Sequence, residues 1–181
     1  MMWRNSAHRW GWLGISIHWL SALTVIGLFA LGLWMVDLTY YDSWYRDAPF
    51  IHKSVGVSLF LLTLLRLLWR WLDITPRHLD SHTRFEQKAA RLAHVFIYLL
   101  LFGIMLSGYL ISTADGRAIE VFNLFSVPAT MQGRETQEEL AGEVHEVLAW
   151  TLIAVVLVHA GAALKHHYVD KDETLKRMLG H

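Results

Sequence analysis

The stretch GISIHWLSALTVIGLFALGLWMV, Gly14–Val36, contains no Asp, Glu, Lys or Arg, and His18 is its one ionisable side chain. A helix rises about 1.5 Å per residue, so roughly 20 apolar residues cross a hydrocarbon core about 30 Å thick. Three further runs meet the same requirement. Ser54–Leu72 is apolar except for Arg66 and Arg70, Leu92–Ile111 carries His94 near its start, and Val147–Leu164 carries His159 near its end. The four runs are 18 to 23 residues long and no Pro interrupts them. Four buried helices of a soluble core would need more polar helix faces than these runs offer. The fold class expected is therefore all-α, an integral membrane bundle of four helices in up-down-up-down order, filling a single membrane domain over residues 1–181. The first run exceeds the apolar segment of a cleavable signal and lacks a small-residue cleavage site, so it reads as the first span.

The composition agrees. Of 181 residues, 54% are hydrophobic and 18% charged, with a mean hydropathy of +0.32, against about a quarter charged in ordinary soluble domains. The absence of cysteine excludes disulfides, thiolate zinc sites, iron–sulfur clusters and covalent attachment of haem through thioethers. A net charge of zero leaves no basic footprint for nucleic acid.

The connecting segments are asymmetric in charge. Eleven basic residues flank one end of the runs: Arg4, Arg9, Arg70, Arg77, Arg84, Lys88, Arg91, Lys165, Lys171, Lys176 and Arg177. The other end has Arg46, Lys53, Arg117 and Arg134 against ten acids, among them Asp37, Asp42, Asp47, Glu138, Glu139 and Glu143. The excess of Lys and Arg places both termini in the cytoplasm. Trp3, Trp10, Trp12, Trp34, Trp44, Trp69 and Trp71 fall where an aromatic belt would lie. In the longest connection, Ser112–Val144, the segment Ile119–Phe125 is too short to span and reads either as an outer lid or as a plain interfacial loop.

The eleven histidines are the conspicuous excess. Ionisable groups inside a span are costly and point to function. His145 and His159 stand 14 residues apart, nearly four whole turns, which puts both imidazoles on one helix face about 21 Å apart along the axis. His52 matches the height of His145 at the outer end, and His18 that of His159 at the inner end. Facing imidazoles without carboxylate or thiolate suit two low-spin haems. A zinc or di-iron site would want three or four ligands at one level, usually with acids, and the runs hold none. A proton relay through the histidines is the competing chemistry. His94 also lies at the inner level, so spacing leaves His18 with His94 open as the inner pair. Small residues beside the histidines, Gly56, Ala149 and Ala160–Ala163, would give a flat ring clearance, although they also serve helix packing. Arg66, Arg70 and Lys53 are candidates to bind propionates or to snorkel to lipid phosphate.

The segments Ser16–Leu20, His52–Gly56, Ala93–Tyr98 and His159–Tyr168 with Lys171–Leu175 resemble bacterial cytochrome b561, over nearly the whole chain. They are also similar to the membrane cytochrome b subunits of respiratory hydrogenases and formate dehydrogenases. The resemblance implies two non-covalent b-type haems with bis-histidine ligation, His18 with His159 on the inner side and His52 with His145 on the outer. His94 then stands beside the ligands or the propionates, and His166 and His167 contact propionates, lipid phosphate or quinone.

The resemblance further implies an electron-transfer protein of the bacterial inner membrane with ubiquinone as one partner. Some relatives oxidise superoxide at the outer face. Ten acids facing four basic residues oppose steering of an anion, but screening beyond about 8–10 Å leaves room for a local site at Lys53 or Arg117. Two alternatives are a haem-bearing anchor for a partner dehydrogenase, serving a periplasmic redox protein, and a haem-free proton or metal transporter.

Overall fold

The computed structural model describes residues 2–77, 79, 81–130 and 136–180. Arg134, counted above with the basic residues, lies outside them. The four apolar runs become the four long helices α1 (Trp12–Met35), α2 (Asp47–Leu72), α3 (Arg84–Ser112) and α4 (Gln137–Tyr168). Each contains a window long and apolar enough to cross a membrane. They alternate in direction as an up-down-up-down bundle. Leu23, Ile26, Leu99, Leu157 and Val158 are exposed on the outside, an arrangement suited to hydrocarbon rather than water.

The helices extend past the apolar runs where local chemistry allows. At the start of α3, Thr83 and Glu86 form a reciprocal capping box, with the Thr83 hydroxyl accepting from the Glu86 backbone N–H at 3.2 Å and Glu86 accepting from the Thr83 N–H at 2.9 Å. α4 begins with Glu138 and Glu139 and ends with Lys165, His166 and His167, which matches its dipole at both ends.

Most helix contact lies within two hairpins, α1 against α2 and α3 against α4, with a thinner seam between α2 and α3. The buried core is one apolar layer of Leu59, Leu100, Leu101 and Leu152 at mid-height. Leu152 stands seven residues from both His145 and His159, and Leu59 seven from His52. The leucine layer therefore separates two histidine levels by about two turns on each side.

Both termini lie at one end, fastened to the α2–α3 connection. Asn5 donates to the Ile74 carbonyl at 2.8 Å, its backbone N–H donates to Asp73 at 2.9 Å, and the Arg77 N–H donates to the Ala7 carbonyl at 2.9 Å. A short α5 (Thr174–Met178) closes this end. Arg177 donates to the carbonyls of His8 and Arg77, and Trp19 Nε1 donates to the Met178 carbonyl at 2.8 Å.

At the opposite end the Ile119–Phe125 segment is a β-hairpin, β1 (Ile119–Val121) and β2 (Phe125–Val127), paired Ile119↔Val127, Glu120↔Ser126 and Val121↔Phe125. Its turn holds Phe122 and Asn123 at φ of 49° and 56°, the left-handed region that a tight hairpin needs and that a bulky residue enters at a cost. Ile119 and Val121 are buried against α2. The wholly buried Ser54 ties the hairpin down, its hydroxyl accepting from the Phe122 N–H at 3.1 Å.

Candidate cofactor site

Two levels of imidazoles lie between the helices. At the end away from the termini, His52 of α2 faces His145 of α4, ring centroids 6.2 Å apart and planes 67° apart. His145 Nδ1 lies 3.0 Å from the Ile104 carbonyl and 3.0 Å from the Ser107 hydroxyl. A carbonyl only accepts, so Nδ1 carries the proton and Nε2 keeps its lone pair, the form a metal ligand requires. His52 Nδ1 is buried without a hydrogen-bond partner. Only a group that bonds Nδ1 itself, a metal ion or a hydrogen-bond partner, would satisfy it.

At the terminal end, His18 of α1, His94 of α3 and His159 of α4 cluster. The His18–His159 centroids are 6.4 Å apart at 63°, and the His94–His159 centroids 5.2 Å apart at 66°. Arg66 donates to His18 Nδ1 at 2.8 Å, while its guanidinium lies 5.8 Å from the Tyr98 ring centroid. Guanidinium only donates. His18 is therefore the opposite tautomer from His145, with its proton on Nε2.

These separations can be compared with an axial pair. A metal–imidazole nitrogen bond of about 2.0–2.1 Å, with the ring centroid about 1.1 Å behind the nitrogen, puts two opposed centroids about 6.3 Å apart. The His52–His145 and His18–His159 separations match this value. The 5.2 Å of His94–His159 is about 1 Å too short. Both levels have the centroid spacing of a bis-imidazole pair.

Two glycines unremarked in the sequence shape the level of His52 and His145. A Cβ at Gly108 would stand 3.2 Å from His145 Cε1, and one at Gly32 would stand 3.4 Å from His52 Cε1. Each ring thus occupies the space of a missing side chain on the neighbouring helix. Gly56, one turn after His52, is half-buried with nothing within 4 Å of its Cβ position, leaving room for a planar ring. Ala160, Gly161 and Ala162 are exposed, and nothing lies within 4 Å of the Gly161 Cβ position.

Among the cations, Arg66 reaches a histidine, whereas Arg70 and Lys53 are exposed at opposite ends of α2. Arg117 is engaged by Asp115, donating at 2.6 Å, and this bond holds the Asp115 carboxyl below the usual range with a smaller contribution from nearby Lys53. Of the two cations considered for an anion site, Lys53 is the less committed. His166 turns toward Asp170, at 2.7 Å, and its ring lies tilted by 38° against His82, centroids 4.6 Å apart, rather than facing His18, His94 and His159.

A family model described as prokaryotic cytochrome b561 matches residues 9–181. The chain is 50% identical over 180 residues to cytochrome b561 homolog 2 of Escherichia coli, covering 99% of this chain and 96% of that one. It is 27% identical over 165 residues to cytochrome b561 homolog 1 of the same organism, covering 91% and 93%. It is 32% identical over 168 residues to the probable superoxide oxidase CybB of Yersinia pestis, covering 92% and 93%.

Proposed function

Since the chain belongs to the prokaryotic cytochrome b561 family, a multi-pass inner-membrane electron-transfer family that binds b-type haem, we propose that it holds two haems in series and exchanges electrons with ubiquinone. The observation that carries the reading is the pair of imidazole levels with centroids 6.4 and 6.2 Å apart. On this reading His18 and His159 would hold the haem at the level near the termini, and His52 and His145 the haem at the other. A bound haem supplies a one-electron iron couple tuned by its ligands and surroundings.

The chain's own residues do the rest. The Ile104 carbonyl orients His145, and Arg66 must release His18 Nδ1 before Nε2 can ligate. Freed, Arg66 can bind a propionate at the inner level, alongside Arg70; Lys53 can do so at the outer level. Leu59, Leu100, Leu101 and Leu152 keep water from the path between levels. His94 positions the inner group without ligating it. The basic end, with both termini, faces the cytoplasm.

A second reading concerns the outer donor. The relative in Yersinia pestis carries the name probable superoxide oxidase, and Lys53, next to His52 in sequence, is exposed at that end of α2. Superoxide oxidation coupled to quinone would give two O₂•⁻ + quinone + two H⁺ → two O₂ + quinol.

Single alanine variants test the ligand scheme by haem content and low-spin EPR. His52→Ala and His145→Ala should lose the same signal, and His18→Ala and His159→Ala the other, while His94→Ala keeps both. Loss of a haem in His94→Ala with both retained in His159→Ala would make the inner pair His18 with His94.

A further inference from the structure

We propose that His82, His166 and Asp172 form a binding site for a divalent transition-metal cation of zinc's class, at the terminal end of the bundle and separate from the histidines above. His82 comes from the α2–α3 connection, His166 from the last turn of α4, and Asp172 from the link to α5. Their ligand atoms all lie within 4.8 Å of one another. His82 Nε2 is 3.0 Å and His166 Nδ1 3.5 Å from the same oxygen, Asp172 Oδ2. A tetrahedral ion with bonds of about 2.0–2.1 Å holds its ligand atoms about 3.3–3.4 Å apart. The two Asp172 separations bracket that spacing and the imidazole nitrogens lie within 4.8 Å of each other, so side-chain adjustment, with His166 Nδ1 turning from Asp170, would close the site.

The setting favours a built site over a chance surface cluster. The three side chains are only 15%, 14% and 7% exposed, in the order His82, His166 and Asp172. The second Asp172 oxygen is fixed by the Thr174 N–H at 2.8 Å, leaving Oδ2 directed at the imidazoles. The His82 and His166 ring centroids lie 4.6 Å apart with planes tilted by 38°, so both rings border the Asp172 carboxylate. Two imidazoles select zinc, nickel, cobalt or copper over magnesium and calcium. A neighbouring combination, Glu86, His166 and Asp170, also clusters. There Lys165 bonds Glu86 at 3.0 Å and Asp170 at 2.7 Å, which supplies the positive charge already. Asp172 is free of Lys165 in these contacts, which singles out the first set. His166 lies seven residues beyond His159, about 10.5 Å along α4. A cation there would pin the α5 segment, whose Met178 carbonyl receives the Trp19 N–H next to His18.

The test uses the purified haem-loaded protein in detergent, stripped with chelator and titrated with Zn²⁺ against a chromogenic chelator, with zinc K-edge absorption on the loaded sample. The expectation is one zinc per chain with two imidazoles in its coordination shell. His82→Ala, His166→Ala and Asp172→Asn should each weaken binding about a hundredfold or more, while His8→Ala and His167→Ala leave it unchanged. Haem per chain, read on the same samples, reports folding. If His166→Ala fails to load haem, His82→Gln, outside the apolar runs, decides the matter. No stoichiometric zinc, or binding that survives the His82 and Asp172 variants, or equal loss in His8→Ala, would overturn the proposal.

Discussion

Gly108→Ala sets two consequences of the structure against each other. The new Cβ would stand 3.2 Å from His145 Cε1, whereas carbon atoms rest at about 3.5–4.0 Å, so the ring must give by about 0.3–0.8 Å. Cε1 swings on a lever of about 3.4 Å, so the tilt is roughly 5–13°, which costs a few tenths of a kcal/mol at the rotamer. The same movement lengthens the 3.0 Å bond to the Ile104 carbonyl, and losing that bond costs about 0.5–1.5 kcal/mol. Together these weaken the outer ligand by about 1–2 kcal/mol, a 5- to 30-fold loss of haem affinity at RT of about 0.59 kcal/mol. Replacing a mid-helix Gly with Ala, however, favours the helix by about 0.5–1 kcal/mol. In the haem-free chain the lost bond and the helix gain are of similar size, so its stability should change by less than about 1 kcal/mol, while the outer haem is lost preferentially on dilution. Haem per chain, low-spin EPR and thermal melting of the stripped protein measure both. Gly108→Leu should abolish the outer signal, and Gly27→Ala, exposed and with open space at its Cβ, should change little. A folded Gly108→Leu protein that keeps both signals, or a Gly27→Ala that loses as much as Gly108→Ala, would rule out the packing of His145 against Gly108.

Arg66→Met should retain the inner haem and lower its midpoint potential, since a buried positive charge beside the ligand favours the reduced state; a rise in a redox titration contradicts the placement. Asp115→Asn releases Arg117 and should raise superoxide-dependent quinone reduction about twofold at low salt, the effect of one charge about 10 Å away in water. At 1 M salt, where the screening length is about 3 Å, the difference should vanish, and a gain that persists there would argue against steering. Reporter fusions at Leu124, exposed at the hairpin tip, and after Leu179 should be active on opposite sides of the membrane, periplasmic and cytoplasmic respectively. A periplasmic signal after Leu179 reverses the orientation.

The bundle was legible because bilayer thickness imposes a length that shows directly in Gly14–Val36 and its three counterparts. The two histidine levels were legible for a similar reason, since 14 residues is nearly a whole number of turns and a single helix carries His145 and His159 on one face. What depends on how helices rotate against one another was not. Gly32 and Gly108 look like any other helix glycine until a neighbour's imidazole fills the space of the missing side chain. Gly161, flagged for its proximity to His159, faces outward instead. Arg66 and Arg70 are a turn apart and equivalent in sequence, yet only Arg66 reaches His18. The β-hairpin was hidden because its turn is Phe122-Asn123 with no glycine to mark it, and its register is held by Ser54, more than 60 residues away. The pairing of His166 with Asp170 and Asp172 likewise appears only once the chain beyond α4 folds back on itself.

The central claim is two bis-imidazole haems in one chain. Acid–acetone extraction of the purified protein, with pyridine haemochrome quantification against chain concentration and EPR of the oxidised sample, measures it directly. The account predicts b-type haem released in full at about two per chain, with low-spin signals from two sites. One haem per chain, haem that resists extraction, or a high-spin signal accounting for half of the iron would contradict it.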